Sequence, residues 1–213
     1  MLRLYGYWRS SAAYRLRIAM NLKGLEYAQL PINIAPAASE QIGAEFQALN
    51  PQMRVPVLEA DGELLTQSMA ILEWLEETYP QIPLVPANKL SRARCRAFAD
   101  IIACDVHPLN NLSVLSQLKD AFGAGPDQIS DWYADWIRRG FFALEAMVQD
   151  KTTKFAYGEE PSFAEICLVP QIYNARRFDV DLSAFPTLVQ LDAESMELEA
   201  FQRAVPEVQP DAS

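Results

Sequence analysis

Apolar and polar residues alternate through Leu2-Arg3-Leu4-Tyr5-Gly6-Tyr7, the period of a half-buried strand. From Ser11 the period changes. Ile18, Ala19 and Leu22 share one face of a helix over 11–23, and Gly24 stands where a left-handed cap would end it. A second strand is predicted over Tyr27–Ile34. The polar, alanine-rich stretch 35–49 reads as a loop with a short helix. The runs 55–60 and 63–65 flank Asp61-Gly62, a strong hairpin signal. A helix then starts at Gln67-Ser68 and runs through Tyr79, where Pro80 stops it. Strand, helix, strand, hairpin and helix make a small α/β unit with a mixed sheet, parallel strands first and hairpin last.

Pro80, Pro83 and Pro86 punctuate a linker, and every strong pattern beyond it is helical. Leu109, Leu112, Leu115, Leu118 and Phe122 recur at helical spacing. So do Trp132, Trp136, Ala143 and Met147, and later Leu188, Leu191, Leu198 and Phe201. Ser162 and Glu165 form a capping box ahead of Ile166-Cys167-Leu168-Val169. The expected division is an α/β unit at 1–82, a linker at 83–87 and an all-α unit at 88–213, with a frayed tail from Pro206 to Ser213.

Half of the 213 residues are hydrophobic, enough for a sizeable core. A net charge of −10 argues against a nucleic-acid backbone or an anionic membrane as the main partner, so an anionic ligand would need locally placed arginines. Cys95, Cys104 and Cys167 show no CxxC or metal-ligand spacing, and there is one histidine, so neither a disulfide framework nor a metal site is expected. No run has the length of a signal peptide core or a membrane span, and the expected location is the cytoplasm.

The candidate chemistry starts at Trp8-Arg9-Ser10-Ser11. Two hydroxyls and an arginine at a strand-to-helix junction, beside free N–H groups and the positive end of a helix dipole, suit an anion. At Val55-Pro56 a cis bond would expose the Val55 backbone to a ligand lying alongside, but the ordinary trans proline is favoured because only about 5% of such bonds are cis. Gln67-Ser68 reads first as a helix cap and second as a carboxylate site. His107-Pro108 lacks a carboxylate partner nearby in sequence and reads as structural. Arg176-Arg177 either offsets a helix C-terminal dipole or clamps a substrate carboxylate.

These pieces in this order resemble the glutathione transferase superfamily, specifically its zeta class, best known for maleylacetoacetate isomerases. The likeness runs from Tyr7-Trp8-Arg9-Ser10-Ser11, through Val55-Pro56, Gln67-Ser68 and Asp105 to Asn111, to Glu160 through Phe178. It implies a thioredoxin-like first domain, a helical second domain, a homodimer and glutathione as cofactor. Pro56 then becomes a cis proline with Val55 pairing to the cysteinyl backbone of glutathione, and Gln67 and Ser68 become contacts to the γ-glutamyl carboxylate. Ser10, with Ser11 and Arg9, becomes the catalytic set at the sulfur. Arg9 and Arg177, with Arg176 as the less favoured neighbour, become the groups that bind a small anionic cis-diacid. The reaction implied is isomerisation of maleylacetoacetate to fumarylacetoacetate in aromatic amino-acid catabolism, by thiolate addition, bond rotation and elimination. The alternatives are maleylpyruvate isomerisation and glutathione transfer to, or dehalogenation of, small α-halo acids. A non-catalytic binding protein ranks last because Ser10 is present. Ala12 stands where the class commonly has cysteine, so chemistry needing a protein thiol at that position is excluded. Leu112-Ser113 follows Asn110-Asn111 where some maleylpyruvate isomerases carry a basic residue, which leans toward maleylacetoacetate.

Overall fold

A computed structural model of the chain describes residues 1–212. Its contacts group Met1–Leu84 with the segment from Glu197 onward, and Val85–Met196 forms a second unit.

In the first unit, strands β1 (Leu2–Gly6), β2 (Tyr27–Pro31), β3 (Val57–Ala60) and β4 (Glu63–Thr66) form one sheet in the order β2-β1-β3-β4. β1 pairs with β2 in parallel, and β3 is antiparallel to both β1 and β4, the mixed sheet expected of a thioredoxin-like domain. Leu2, Leu4, Val57 and Leu58 are buried. Helix α1 (Ser11–Leu22) joins the first two strands, and α3 (Ser68–Thr78) follows the hairpin. Asp61 and Gly62 both have positive φ, 51° and 86°, as the tight turn requires. The predicted short helix in 35–49 is a 3-10 turn at Glu40–Ile42 followed by α2 (Ala44–Leu49). β2 ends at Pro31, short of the predicted Ile34, and β3 starts two residues later than predicted, after the proline at 56.

The second unit is helical: α4 (Lys89–Asp100), a π-helical turn (Ile101–Val106), α5 (Leu112–Phe122), α6 (Pro126–Val148), α7 (Phe163–Arg177) and α8 (Pro186–Met196). The capping box is present, with the Ser162 N–H donating to Glu165 Oε2 at 2.8 Å and the Ala164 N–H to Ser162 Oγ at 3.3 Å. Glu165 Oε1 accepts from the Ala156 N–H at 2.8 Å, tying the helix start to the preceding loop. Burial pushes the Glu165 carboxyl up while these donors pull it down.

Two helical faces differ from expectation. α6 buries Tyr133, Ala134, Ile137, Gly140, Phe141, Leu144 and Val148, whereas Trp132 and Trp136 are half-buried and Ala143 and Met147 exposed. The large aromatics mark the rim of the stripe. α5 buries none of its residues, and Leu112 and Phe122 are exposed. Periodicity reports that a face is apolar, not that it is covered.

The segment from Glu197, including α9 (Glu199–Gln202), departs from the expected division at 88–213 and from the expected frayed tail. Gln209 is buried; its Nε2 donates to the carbonyls of Arg203 and Val205 at 3.0 and 2.6 Å, and its Oε1 accepts from Gln29 at 2.9 Å. Asp211 accepts from the Trp8 N–H at 3.0 Å. Arg17, also buried, donates to the carbonyls of Ala204 and Trp8 at 3.0 and 2.9 Å. Both peptide groups of Trp8 are thus held by side chains. Only Ser213 of the expected tail lies outside the described residues. Deleting the chain from Gln209 onward should cost about 2 kcal/mol, at roughly 0.5–1.5 kcal/mol net per hydrogen bond, and lower Tm by about 4–8 °C. An unchanged Tm would show that these bonds hold nothing.

Among the described residues no helix is long and apolar enough to cross a membrane, and no group of three or more His, Cys, Asp or Glu side chains is placed to hold a metal ion.

Candidate active site

The tight turn after β1 closes with the Ser10 N–H donating to the Tyr7 carbonyl at 2.9 Å. Gly6 lets the helix come close: a Cβ there would lie 3.1 Å from the Cβ of Ala13. Ser10 is the N-cap of α1, extended at φ −68° and ψ 116°, with Oγ accepting from the Ala13 N–H at 3.3 Å. Capping uses the oxygen as an acceptor and leaves the hydroxyl proton as a donor. Ser10 is half-buried and Ser11 buried, so Ser10 is the more accessible hydroxyl of the pair. The Arg9 guanidinium lies 4.5 Å from the centroid of the Trp8 ring, and one of its nitrogens lies 3.5 Å from the Tyr7 hydroxyl.

The Val55-Pro56 peptide is cis, against the base rate and as the family resemblance implies. Asn50 builds the turn before it: Nδ2 donates to the Arg54 carbonyl at 2.7 Å, and Oδ1 accepts from the Gln52 N–H at 3.0 Å. Pairing of β3 with β1 and β4 begins at Val57, so Val55 stands just outside the ladder.

Gln67 has φ 69° and ψ 110°, a backbone conformation uncommon for a residue with a side chain. It is the N-cap residue of α3, yet its side chain caps nothing. Instead its Nε2 donates to Gln52 Oε1 at 2.7 Å. The plain capping reading of Gln67-Ser68 is therefore wrong: Ser68 is the first helical residue, and its side chain serves another partner. Ser68 Oγ accepts from Arg15 Nη1 at 3.2 Å. Arg15 is 2% exposed, and its Nε and Nη2 are buried without a protein acceptor. A buried guanidinium beside the positive end of a helix suits a ligand carboxylate. Glutathione, with a free amino-acid end and a cysteinyl backbone to pair beside a cis proline, fits these groups.

Arg176 and Arg177 close α7 in the second unit. They have different partners. Arg176 pairs with Asp192 at 2.7 Å, and burial pushes the Asp192 carboxyl up while Arg176 pulls it down. Arg177 is exposed, lies 4.8 Å from the Phe178 ring centroid and makes no ion pair among the described residues. Phe178 stacks on Tyr133 at 3.7 Å and 15°. Burial pushes the Tyr133 phenol up to about 12, with the Arg177 charge acting in the opposite sense. Arg176 steadies α7 against α8, whereas the Arg177 guanidinium stays exposed.

Sequence reasoning missed Arg15, Gln52 and Asp211. Arg15 could have been found: it lies four residues after Ser11 on the same helical face, flanked by Tyr14 and Leu16. Gln52 and Asp211 act across turns that no local pattern reports.

Residues 1–77 match the family described as Glutathione S-transferase, N-terminal domain. A Vibrio cholerae protein named a probable maleylacetoacetate isomerase is 47% identical over 210 residues, covering 98% of this chain and 97% of that protein. The holo structure of a maleylpyruvate isomerase, a bacterial zeta-class glutathione transferase, is 44% identical, covers 99% of this chain and 100% of that one, and superposes with TM-score 0.96. A maleylacetoacetate isomerase from Anaeromyxobacter dehalogenans, solved with glutathione in its active site, is 45% identical, covers 100% of this chain and 98% of that one, and gives TM-score 0.89. By this likeness along its whole length, the chain belongs to the zeta-class glutathione transferases, the family of the maleylacetoacetate and maleylpyruvate isomerases.

Proposed function

We propose that the protein binds glutathione and uses it to isomerise a maleyl diacid from cis to trans. The observation that carries this reading is the Ser10 hydroxyl at the start of α1, in the same unit as a cis Val55-Pro56 and a cationic N-terminus of α3. Near-full-length relatives that are isomerases support it.

Bound glutathione would supply a thiolate that adds to the activated double bond, permits rotation and leaves unchanged. The protein's part is to hold and to polarise. Val55 offers its backbone to the cysteinyl residue, and Gln67 and Ser68 hold the γ-glutamyl carboxylate. Ser10 donates its hydroxyl proton to the sulfur anion, with the N-terminus of α1 adding to the field. Arg9, next to Ser10 in the turn, stabilises the negative charge that develops on the diacid. Arg177 holds a substrate carboxylate, a role its neighbour cannot share while bound to Asp192. Ala12 contributes no thiol, so the only nucleophilic sulfur at the turn is the cofactor's.

Within the diacid class, the expectation drawn from Leu112-Ser113 was maleylacetoacetate. Maleylpyruvate is the alternative supported by the structure with TM-score 0.96, a maleylpyruvate isomerase, beside 0.94 for a maleylacetoacetate isomerase solved with malonate and glutathione. Measuring kcat/KM for both diacids with glutathione present tests the reading. Turnover of either supports the class, with the larger value expected for maleylpyruvate. Failure on both, with conjugation of an α-halo acid instead, would move the protein to the transferases.

A further inference from the structure

The turn that carries Arg9 and Ser10 is fastened by residues some 200 positions away in sequence. The Trp8 N–H donates to Asp211 Oδ2 at 3.0 Å, and the Trp8 carbonyl accepts from Arg17 Nη2 at 2.9 Å. Through its Nε the same arginine reaches the Ala204 carbonyl at 3.0 Å, so one side chain joins the turn to the segment after α9. That segment has its own anchor two residues before Asp211. The buried Gln209 amide accepts from Gln29 on the edge strand β2 and donates to the carbonyls of Arg203 and Val205. A small cavity lies beneath the turn, lined in part by Gly6, Tyr7, Arg17, Gln29 and Asp211. On that side hydrogen bonds, and not filled packing, hold the turn in place. Trp8 is also the platform for the chemistry that follows it: its ring is buried, and the Arg9 guanidinium lies 4.5 Å from the ring centroid.

We propose that Asp211 is a positioning residue for the reaction: by holding the Trp8 N–H it fixes the Trp8-Arg9-Ser10 turn, and through the turn the direction from which the Ser10 hydroxyl meets the sulfur of glutathione. The assignment rests on reading Ser10 as the donor to that sulfur. A hydrogen bond weakens steeply as it bends or lengthens, and a bond to a charged sulfur has the most to lose. Releasing Trp8 therefore lowers the stabilisation of the thiolate, while Val55, Gln67 and Ser68 still hold the rest of the cofactor. The loss falls on activation and spares binding. The Asp211 charge by itself acts in the opposite sense, because a carboxylate near a thiolate disfavours the anion and raises the thiol's ionisation point. Holding the N–H and repelling the sulfur thus have opposite signs, and substitutions at this one position tell them apart.

The test compares wild type, Asp211→Ala and Asp211→Asn as full-length proteins. The thiolate absorbance of bound glutathione is titrated against pH, and the affinity for S-methylglutathione, whose sulfur cannot ionise, is measured by calorimetry. Asp211→Ala should raise the ionisation point of the bound thiol by about half to one unit and lower kcat/KM about 3- to 10-fold on the acid limb of the pH–rate profile. Its affinity for S-methylglutathione should equal that of wild type. Asp211→Asn keeps an oxygen to accept from Trp8 and drops the charge, so its ionisation point should lie at the wild-type value or below it. An alanine variant that melts lower but titrates like wild type would make Asp211 merely structural and overturn the proposal. A downward shift in both variants would also overturn it, since Asp211 would then act only as a charge near the sulfur. If Asp211→Ala does not fold, Asp211→Glu decides: it keeps the carboxylate but adds a methylene between it and the backbone, and the ionisation point must still rise. A wild-type protein that binds neither glutathione nor S-methylglutathione would remove the glutathione site itself, and the proposal with it.

Discussion

Replacing Ser10 by alanine is expected to shift the acidic limb of the pH–rate profile upward and to lower kcat/KM roughly 30-fold at pH 7. A free thiol ionises near pH 8.5, so only a few per cent is thiolate at pH 7, and lowering that value by two units takes about 2.7 kcal/mol. A hydrogen bond to a charged group contributes about 1.5–3 kcal/mol, which makes the Ser10 hydroxyl the main source. The sign follows from the ionised form being the reactive one. Removing its donor raises the thiol's ionisation point, so the loss is greatest at low pH and shrinks toward nothing once both proteins are fully ionised above about pH 9. The thiolate absorbance of bound glutathione reads the shift directly, and identical titrations in the two proteins would clear Ser10 of the role. The same substitution removes the α1 cap, at a further cost of about 1 kcal/mol in stability. Ser10→Thr separates the effects, since it restores both cap and hydroxyl.

Arg177→Ala should raise KM for the diacid roughly 30- to 100-fold while changing kcat little, the pattern of a lost contact equally strong in ground and transition states. A neutral diester analogue should be almost unaffected. Equal changes on diacid and diester would reassign Arg177 to structure. Arg176→Ala, one residue away, should behave differently. It strands the buried Asp192 carboxylate, so the loss is in stability rather than KM. Burial already holds Asp192 above its ordinary value and Arg176 holds it back, so the variant's carboxyl rises further. A raised carboxyl favours the folded state when protonated, so the instability of Arg176→Ala grows as pH rises through the carboxylate range and fades in acid. A Tm deficit that is independent of pH would contradict this.

The sheet and its connections were legible because a strand with one buried face alternates and a hairpin turn needs residues such as Asp61-Gly62 that accept positive φ. Ser10 was legible for the same local reason, since a cap announces itself next to the helix it starts. What escaped notice was held by side chains reaching across the fold. Nothing around Gln209 or Asp211 is periodic, and their grip on Gln29 and Trp8 spans almost the whole chain. Arg15 sat in plain view on α1, but its meaning depended on how little around it could accept a hydrogen bond. On α5 and α6 the apolar residues were visible, while which of them the fold buries was not.

The measurement that bears most directly on the protein's activity is turnover of a maleyl diacid with glutathione at a small fraction of the substrate concentration, following product and total thiol together. Complete conversion to the trans isomer with thiol constant, and none without glutathione, is the expected result. Thiol consumed in step with substrate, or isomerisation that proceeds unchanged in its absence, would contradict an isomerase that borrows its nucleophile and returns it.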